Sequence, residues 1–394
     1  MKIFHLSDLH IGKVLNGHSL LENQRAVLNQ IIEEAKKHRP DVILLCGDIY
    51  DRTVPAGEAY KLLDRFLADL SEIEPKIQVC MIAGNHDSPE RLSYGETFLE
   101  KHQIYVSVMP PQTEEAYMKK VTLYDEYGPV SFYLLPFLKP GYVRQLAKSE
   151  KDAEEQNIDS YESAVRLVLE RENIDFDQRN VILSHQFYAG SGQIVETCES
   201  EQSVIMAGGL DKISAEVLMD FDYAALGHIH GSQKAGADHI RYCGTPYKYS
   251  VSEEHHSKSI TVVMLKEKGS EPEISFLPLY GLQDVRRIRG TLEEVLAWAG
   301  EHNRHDFVSV TLTDEQEPYH FREQLEEIYD HLLEVRIDNS RTREKLMDET
   351  EEVQVLRPME AFEQFYEIMT GRPMEEEERT VVERIIESEK EERE

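Results

Sequence analysis

A short apolar run that ends abruptly in a carboxylate constrains the fold of this chain more than any other feature. Residues Val42 to Cys46 are all apolar, Pro40 precedes them, and Gly47 and Asp48 follow at once. An unbroken apolar run of this length indicates a strand that is buried on both faces of a sheet. Asp48 then lies at the carboxyl end of the strand, where α/β proteins bind their ligands. Taken alone, Asp48 fits a turn or helix-cap residue equally well.

The same arrangement recurs after four other apolar runs. The resulting five groups are Asp8 with His10, Asp48, Asn85 with His86, His185, and His228 with His230. A lone histidine at a strand end is usually a turn residue, but alternate residues of an extended backbone share a face, so Asp8 and His10 can chelate together. Five such groups therefore predict a metal site. The mixed carboxylate, imidazole and amide ligands suit Mn²⁺, with Fe²⁺ or Zn²⁺ possible and Mg²⁺ less favoured, and they are sufficient for two ions.

The order of predicted elements indicates an α/β fold. Strands at 2–7, 42–46 and 77–83 alternate with helices at 22–39 and 55–70, which predicts a largely parallel sheet. Further along, the predicted strands are short and closely spaced, so the second half is expected to be antiparallel. Together these patterns predict a two-sheet β-sandwich flanked by helices.

Composition changes along the chain predict four segments. We expect a main domain at 1–281, a small β-α-β-α-β domain at 282–338, a polar linker at 339–357 and a pair of helices at 358–394. The loop that holds Glu253, Glu254, His255 and His256 is expected to be solvated because all four residues are polar.

Charge and cysteine content limit the possible functions. The 394 residues include 75 acidic and 43 basic ones, for a net charge of −32, which disfavours tight binding of nucleic acid by the chain as a whole. Four scattered cysteines without CxxC spacing suggest reduced thiols, and the N-terminus lacks the pattern of a signal peptide, so a cytoplasmic location is expected. The absence of a GxxxxGK[ST] motif excludes a P-loop ATP site in this chain.

Five motifs match a known family in their order along the chain. They are DLH, GDIYD, GNHD, the histidine of LSHQF, and GHIH. The chain in this respect resembles the calcineurin-like metallophosphoesterases. Longer stretches, such as LSDLHIGK, AGNHDSPERL and YCGTPYKYSVSEE, are similar to the SbcD family of bacterial nuclease subunits through about residue 279.

The resemblance implies a role for each motif residue. Asp8, His10 and His230 would hold one ion, Asn85, His185 and His228 would hold the other, and Asp48 would bridge them. His86 would be the catalytic histidine, which stabilises the transition state or protonates the leaving oxygen. Asp51 and Asp87 would orient the ligands by contacting them without binding the ions themselves, although a plain turn role fits both residues as well.

Contacts to nucleic acid would have to come from local basic and aromatic residues near the motifs. The candidates for DNA contact are Lys13, Arg52, Arg91 and Lys248, with Tyr188, Tyr247 and Tyr249 as residues that could stack on bases. Each of them fits an ordinary surface residue at least as well.

The resemblance also implies an activity and partners. The implied activity is that of a Mn²⁺-dependent nuclease in DNA repair and recombination, with exonuclease action on double-stranded DNA and endonuclease action on single-stranded or hairpin DNA. An SbcC-type ATPase would bind the C-terminal helix pair through its coiled coil, the 282–338 domain would position DNA, and a homodimer would give a heterotetramer associated with the nucleoid. Two alternatives stay open: a small-molecule phosphodiesterase, against which the extra domain counts, and an inactive scaffold for DNA ends, against which the complete ligand set counts.

Overall fold

The structure is a computed structural model. It describes residues 1–146, 158, 160–199, 201, 212–302, 304–342, 359, 362, 363, 366, 372–375, 378, 379, 381 and 382. The chain divides into two compact units, Met1–Thr311 with His320–Val335, and Leu312–Tyr319 with Arg336–Glu394. Among the described helices, none combines the length and the apolar character needed to cross a membrane.

The first sheet contains the strands that the N-terminal pattern predicts. Its six strands lie in the order β16 (Glu273–Pro278), β15 (Ser259–Met264), β1 (Lys2–Leu6), β4 (Val42–Cys46), β5 (Gln78–Ile82) and β6 (Ile104–Ser107). Strands β1, β4, β5 and β6 are parallel, and β15 and β16 join them antiparallel. The helices α1 (Leu21–His38) and α2 (Gly57–Ser71) provide the crossovers between β1, β4 and β5, as expected of right-handed βαβ units.

The second sheet differs from the expectation. Its order is β13 (Gln233–Ala235), β14 (Ala237–Tyr242), β12 (Tyr223–Gly227), β9 (Arg179–His185), β8 (Gly128–Leu135) and β7 (Lys119–Asp125). The prediction of an antiparallel second half is wrong for this sheet, because β14, β12, β9 and β8 are all parallel and only the edge strands β13 and β7 are antiparallel. It is confirmed for β15 and β16, which pair antiparallel in the first sheet. Parallel pairing needs a long crossover. The helix α6 (Tyr161–Arg171) lies between β8 and β9, and residues 186–222 connect β9 to β12.

The two sheets pack face to face with helices outside. Apolar side chains of both sheets, such as Leu44 and Ile82 from the first and Phe132 and Val181 from the second, form one buried cluster between them. The outer face of the first sheet packs on α1 and α2, and that of the second packs on α6 and the short helix α5 (Pro140–Val143). The predicted two-sheet sandwich flanked by helices is therefore confirmed.

A third sheet follows in the chain. It contains β17 (Val285–Gly290), β18 (Phe307–Leu312) and β19 (His331–Ile337), with β18 in the centre. The helices α7 (Leu292–Glu301) and α8 (Phe321–Ile328) follow its first and second strands, which is the predicted β-α-β-α-β order. A capping box at Thr291 and Glu294 begins α7. The assignment of 282–338 as a separate domain stays a prediction.

The other described elements are short. They are β2 (Val14–Leu15), β3 (His18–Ser19), β10 (Tyr188–Ala189), β11 (Ile213–Ser214), α3 (Pro89–Leu92), α4 (Glu96–Lys101) and the 3₁₀ turns Arg144–Leu146, Ala215–Leu218 and Val251–Glu253. The predicted linker at 339–357 beyond residue 342, and the helix pair at 358–394 apart from isolated positions, lie outside the described residues.

Candidate metal centre

The carboxyl ends of five strands, three from the first sheet and two from the second, meet at one edge of the sandwich. Strands β1, β4, β5, β9 and β12 end in, or a few residues before, the predicted ligands. The loops are joined by backbone hydrogen bonds, because Asp8 N–H donates to the Gly47 carbonyl at 3.0 Å and His10 N–H donates to the Asp48 carbonyl at 2.9 Å. The two sheets meet where His228 N–H donates to the Asp8 carboxylate at 3.1 Å. The structure thus brings all five groups together.

Asp8, His10 and His230 form the first group of donor atoms. One donor atom of each lies within 4.8 Å of the others, and all three residues are buried. His10 is only 2% exposed, and neither of its ring nitrogens has a hydrogen-bond partner among the described residues. A buried polar atom without a partner is costly, so this imidazole fits a metal ligand well.

Asn85, His185 and His228 form the second group. The Asn85 side-chain oxygen lies 3.1 Å from His185 Nε2 and 3.2 Å from His228 Nδ1. His185 Nδ1 lies 2.8 Å from the Cys46 carbonyl oxygen, which can only accept, so Nδ1 carries the hydrogen and Nε2 faces the group. A neutral His185 therefore points a lone pair at neighbouring oxygen atoms, an arrangement that a proton or a metal ion satisfies.

Asp48 lies between the two groups. One oxygen, Oδ2, is 3.6 Å from His10 Nε2 and 3.3 Å from His185 Nε2, while Oδ1 accepts the His86 backbone N–H at 2.9 Å. A carboxylate in this position can bind an ion on either side. Since the donors are oxygen and nitrogen atoms from carboxylates, imidazoles and an amide, the set fits a divalent first-row metal.

Four of these residues have a strained backbone. Asp8, His10, Asp48 and His228 have φ angles of +52°, +42°, +47° and +97°, in the left-handed region that residues other than glycine rarely adopt. Such conformations cost on the order of 1–3 kcal/mol each and cluster at functional sites. The strain indicates that the surrounding structure holds these four residues in place against their local preference.

The protonation of the site is also typical of a cation site. Burial lowers the pKa of His10, and it lowers the pKa of His228 to about 3, so both imidazoles are neutral, as metal ligation requires. Burial, with a further contribution from Asp48, raises the pKa of Asp8. Although burial acts to lower it, the adjacent Asp48 raises the pKa of His185 to about 9, so a proton is held where a metal ion would bind.

His86 differs from the buried candidate ligands in the exposure of its side chain. Its side chain is 35% exposed, and its Nδ1 lies 2.9 Å from the Asp51 carbonyl oxygen, which directs Nε2 into the site. It also lies with His10 and Asp48 in a group of donor atoms within 4.8 Å of one another. His86 is as close to His10 and Asp48 as a ligand would be, but unlike the ligand candidates its side chain is exposed. This exposure makes His86 suited to contact with a substrate.

Asp87 and Asp51 support the loops around the site. The Asp87 carboxylate accepts backbone N–H groups of Ile49, Tyr50 and Gly84 at 3.1, 2.9 and 2.9 Å, which ties the loop after β4 to the loop after β5. Asp51 pairs with Lys13 at 2.9 Å, and one of its carboxylate oxygens lies 3.7 Å from His10 Nδ1.

Three residues that contact His230 from the side of Nδ1 or through its backbone were not predicted from the sequence. Glu253 Oε1 lies 3.2 Å from His230 Nδ1, Cys198 Sγ lies 3.6 Å from the same nitrogen, and the Glu201 carboxylate accepts the His230 backbone N–H. The expectation that Glu253 lies in a solvated loop is wrong, since its side chain is fully buried, whereas His255 is 91% exposed as expected. A charged residue in a polar stretch carries no local signal of burial.

The residues proposed for DNA contact differ in their exposure. Arg52 is 72% exposed and Arg91 is also exposed, whereas Lys13 and Lys248 are mostly buried and pair with Asp51 and Asp284 at 2.9 and 2.7 Å.

The prediction that Tyr188, Tyr247 and Tyr249 stack on bases is wrong, because all three are at most 3% exposed. The Tyr249 hydroxyl instead donates to the Leu9 carbonyl, and its ring packs edge-on against His10. Each ring is covered by tertiary packing, which the loop-like sequence around it does not indicate.

Comparison with known proteins identifies the family. The family model of calcineurin-like phosphoesterases matches residues 1–232, and a model described as the type 5 capsule protein repressor C-terminal domain matches residues 281–370. The chain is 31% identical over 336 residues to the SbcD subunit of nuclease SbcCD from Staphylococcus epidermidis, with 84% of each chain covered.

A second relative and a solved structure add to this comparison. The chain is 29% identical over 390 residues to the protein of the same name from Staphylococcus saprophyticus, with 98% of each covered. The solved structure of GAP50, an anchor in the inner membrane complex of Plasmodium, aligns at 13% identity with a TM-score of 0.37 over 72% of this chain and 89% of that one, a likeness too distant to bear on function. On the family match and the first relative, the chain belongs to the calcineurin-like phosphoesterases and, within them, to the SbcD family of nuclease subunits.

Proposed function

We propose that this chain is the nuclease subunit of an ATP-dependent complex and hydrolyses DNA phosphodiesters with two Mn²⁺ ions. The position of Asp48 between two donor groups carries the proposal, since its Oδ2 lies 3.3 and 3.6 Å from a histidine of each group. The two staphylococcal relatives are named as nuclease subunits, which supports a nucleic-acid phosphodiester as the substrate.

Each ion would have its own ligands and share Asp48. Asp8, His10 and His230 would hold one ion, and Asn85, His185 and His228 would hold the other. When bound, the ions would lower the pKa of a water molecule and withdraw charge from the phosphate oxygens. The rigid, strained loops keep the donors in position before substrate arrives.

His86 would act on the phosphate from the solvent side of the site. With Nδ1 hydrogen-bonded to the Asp51 carbonyl, Nε2 faces the position of a substrate and can donate to a phosphate oxygen or to the leaving oxygen. Asp51 and Asp87 would act indirectly, by fixing His86 and the two loops.

DNA would reach the site past exposed arginines of the motif loops. Arg52 and Arg91 are the exposed members of the candidate set, and the net charge of −32 predicts weak, salt-dependent binding by this chain alone. An SbcC-type partner with an ATPase domain and a coiled coil would provide the affinity for DNA that this chain lacks by itself. It would bind the predicted helix pair at 358–394. The predicted 282–338 domain would position DNA, and a homodimer of this chain would complete a heterotetramer.

One assay tests the proposal. Purified chain with Mn²⁺ is offered single-stranded DNA, hairpin DNA and a chromogenic phosphodiester, beside His86→Ala and the surface control His255→Ala. We expect DNA cleavage that falls about 10²–10⁴-fold in His86→Ala, with Mn²⁺ binding retained and His255→Ala unaffected. Cleavage of the small ester alone would instead identify a small-molecule phosphodiesterase, and DNA binding without turnover would identify a scaffold.

A further inference from the structure

A buried carboxylate lies directly behind one of the metal-site histidines. Glu253 Oε1 is 3.2 Å from His230 Nδ1, which leaves Nε2 as the ring nitrogen available to the group with Asp8 and His10. His185, in the other group, has the neutral Cys46 carbonyl oxygen in the corresponding position at 2.8 Å. The two donor groups therefore differ in one respect: the hydrogen-bond acceptor at Nδ1 is a negatively charged carboxylate for His230 and a neutral carbonyl for His185.

Glu253 is held rigidly in this orientation. Its other oxygen, Oε2, accepts from Lys258 Nζ at 2.6 Å and from the Thr245 hydroxyl at 3.1 Å. The Tyr249 backbone N–H donates to Oε1 at 3.2 Å. Glu253 is fully buried and Lys258 is 8% exposed, so the pair balances its own charge inside the protein. A carboxylate held by three donors in this way cannot rotate away from His230.

We propose that Glu253 is a positioning residue that accepts the Nδ1 hydrogen of His230, fixes Nε2 toward Asp8 and His10, and makes that ion the more tightly held of the two. This inference rests on the two-ion proposal above. A carboxylate behind a ligating histidine fixes the ring and increases its basicity, and removal of such a partner typically costs about 10–100-fold in metal affinity. A backbone carbonyl behind His185 fixes its ring but adds no negative charge.

The test is a Mn²⁺ titration of the full chain by calorimetry, with free Mn²⁺ followed by electron paramagnetic resonance. Glu253→Gln keeps the size of the side chain and removes its charge. Asp306→Asn is the matched control, because Asp306 is also a buried carboxylate and pairs with Arg286 at 2.6 Å. We expect Glu253→Gln to weaken the tighter of the two binding events about 10–100-fold and to leave the weaker one unchanged. Asp306→Asn is expected to leave both affinities as they are.

A second variant separates positioning from folding. Glu253→Gln leaves Lys258 buried without a counter-charge, so Glu253→Gln with Lys258→Met removes both charges, and circular dichroism and melting in a chelator confirm that each protein is folded. We expect the double variant to show the same loss at one ion. If the folded double variant binds both ions with wild-type affinity, the role of Glu253 is refuted while the two-ion proposal stands. If the wild type binds a single ion, the two-ion proposal itself fails.

Discussion

At the scale of single residues, Asp48 connects more of the site than any other side chain we describe. Its two oxygens contact the backbone of His86 and lie near the rings of His10 and His185, which belong to different donor groups. Its own backbone is strained, with φ of +47°. Burial acts to raise the pKa of Asp48, but His185 and the other histidines outweigh burial and hold it well below its usual range, so the group is ionised.

Asp48→Asn is expected to weaken both metal sites together, whereas His10→Ala is expected to weaken mainly one. The asparagine keeps the shape but removes the charge that both ions would share, and we expect each affinity to fall by more than about 100-fold, since even indirect partners are worth about 10–100-fold. Stoichiometry and affinity measured by Mn²⁺ calorimetry decide the outcome. Full occupancy and activity in Asp48→Asn would contradict the assignment of a shared ligand.

At the scale of elements, glycines at three strand ends allow the loops of the site to meet. Gly47 follows β4 with φ of +88°, and a side chain on it would overlap the His185 ring. A Cβ at Gly84 would overlap the carboxylate and the backbone nitrogen of Asp48, and a Cβ at Gly227 would overlap the Cys46 carbonyl. The strand ends are thus packed too closely for any side chain at these positions.

Gly84→Ala is expected to displace Asp48 and to lower the free energy of unfolding by about 1–3 kcal/mol, as overpacking does. Gly300→Ala is the control, since Gly300 lies in α7 with open space around its Cβ position and should gain about 0.5–1 kcal/mol. Urea unfolding with and without Mn²⁺ measures both effects. A Gly84→Ala protein with wild-type stability and Mn²⁺ affinity would show that the loops can move apart.

At the scale of the whole molecule, one buried arginine, Arg179 at the start of β9, joins the two sheets at their edge. Arg179 is 2% exposed and binds the carboxylate of Asp125, the last residue of β7 in the second sheet, at 3.0 and 2.5 Å. The same guanidinium donates to the Lys266 carbonyl at 2.9 Å, just beyond β15 of the first sheet. Burial acts to raise the pKa of Asp125, but Arg179 and the N-terminal ammonium of Met1, which lies 2.8 Å from the carboxylate, outweigh burial and hold the pKa well below its usual value.

The depressed pKa of Asp125 predicts a pH-dependent contribution to stability. Because the carboxylate is more acidic in the folded state, its contribution is complete above its usual pKa of about 3.9 and is lost as the pH falls toward the folded value. Asp125→Asn should therefore lower the free energy of unfolding by about 2 kcal/mol or more at pH 6, and the difference should shrink below about pH 4. Urea unfolding at several pH values in a chelator measures it. A difference that stays constant from pH 6 to pH 2 would show that ionisation of Asp125 plays no part.

Because the chain carries a large negative charge, any binding to DNA is expected to depend on a few exposed arginines and on salt concentration. Arg52→Ala with Arg91→Ala should weaken binding to single-stranded DNA and reduce the slope of log affinity against log salt by about 1.4, or about 0.7 for each phosphate contact. Arg65→Ala, at a 76% exposed arginine of α2 outside the motif loops, is the control. Fluorescence anisotropy at several KCl concentrations, in a chelator, measures both. An unchanged slope in the double variant would place the DNA elsewhere.

The pattern of residues along the chain was sufficient to predict much of the fold and the residues that form the candidate site. Apolar runs and helical spacing are local, so the strands β1, β4, β5, β9 and β12, and the candidate ligands that the structure brings together at their ends, could be predicted from sequence. Which strands pair, and in which direction, depends on crossovers such as α6, and the second sheet was therefore predicted wrongly. Burial depends on what packs against a residue, so only the tertiary structure covers Tyr249 and places Glu253 behind His230. The local sequence determined which residues form the candidate site. Their burial and the charged groups around them were decided only by the tertiary structure, because both depend on how the two sheets pack against each other.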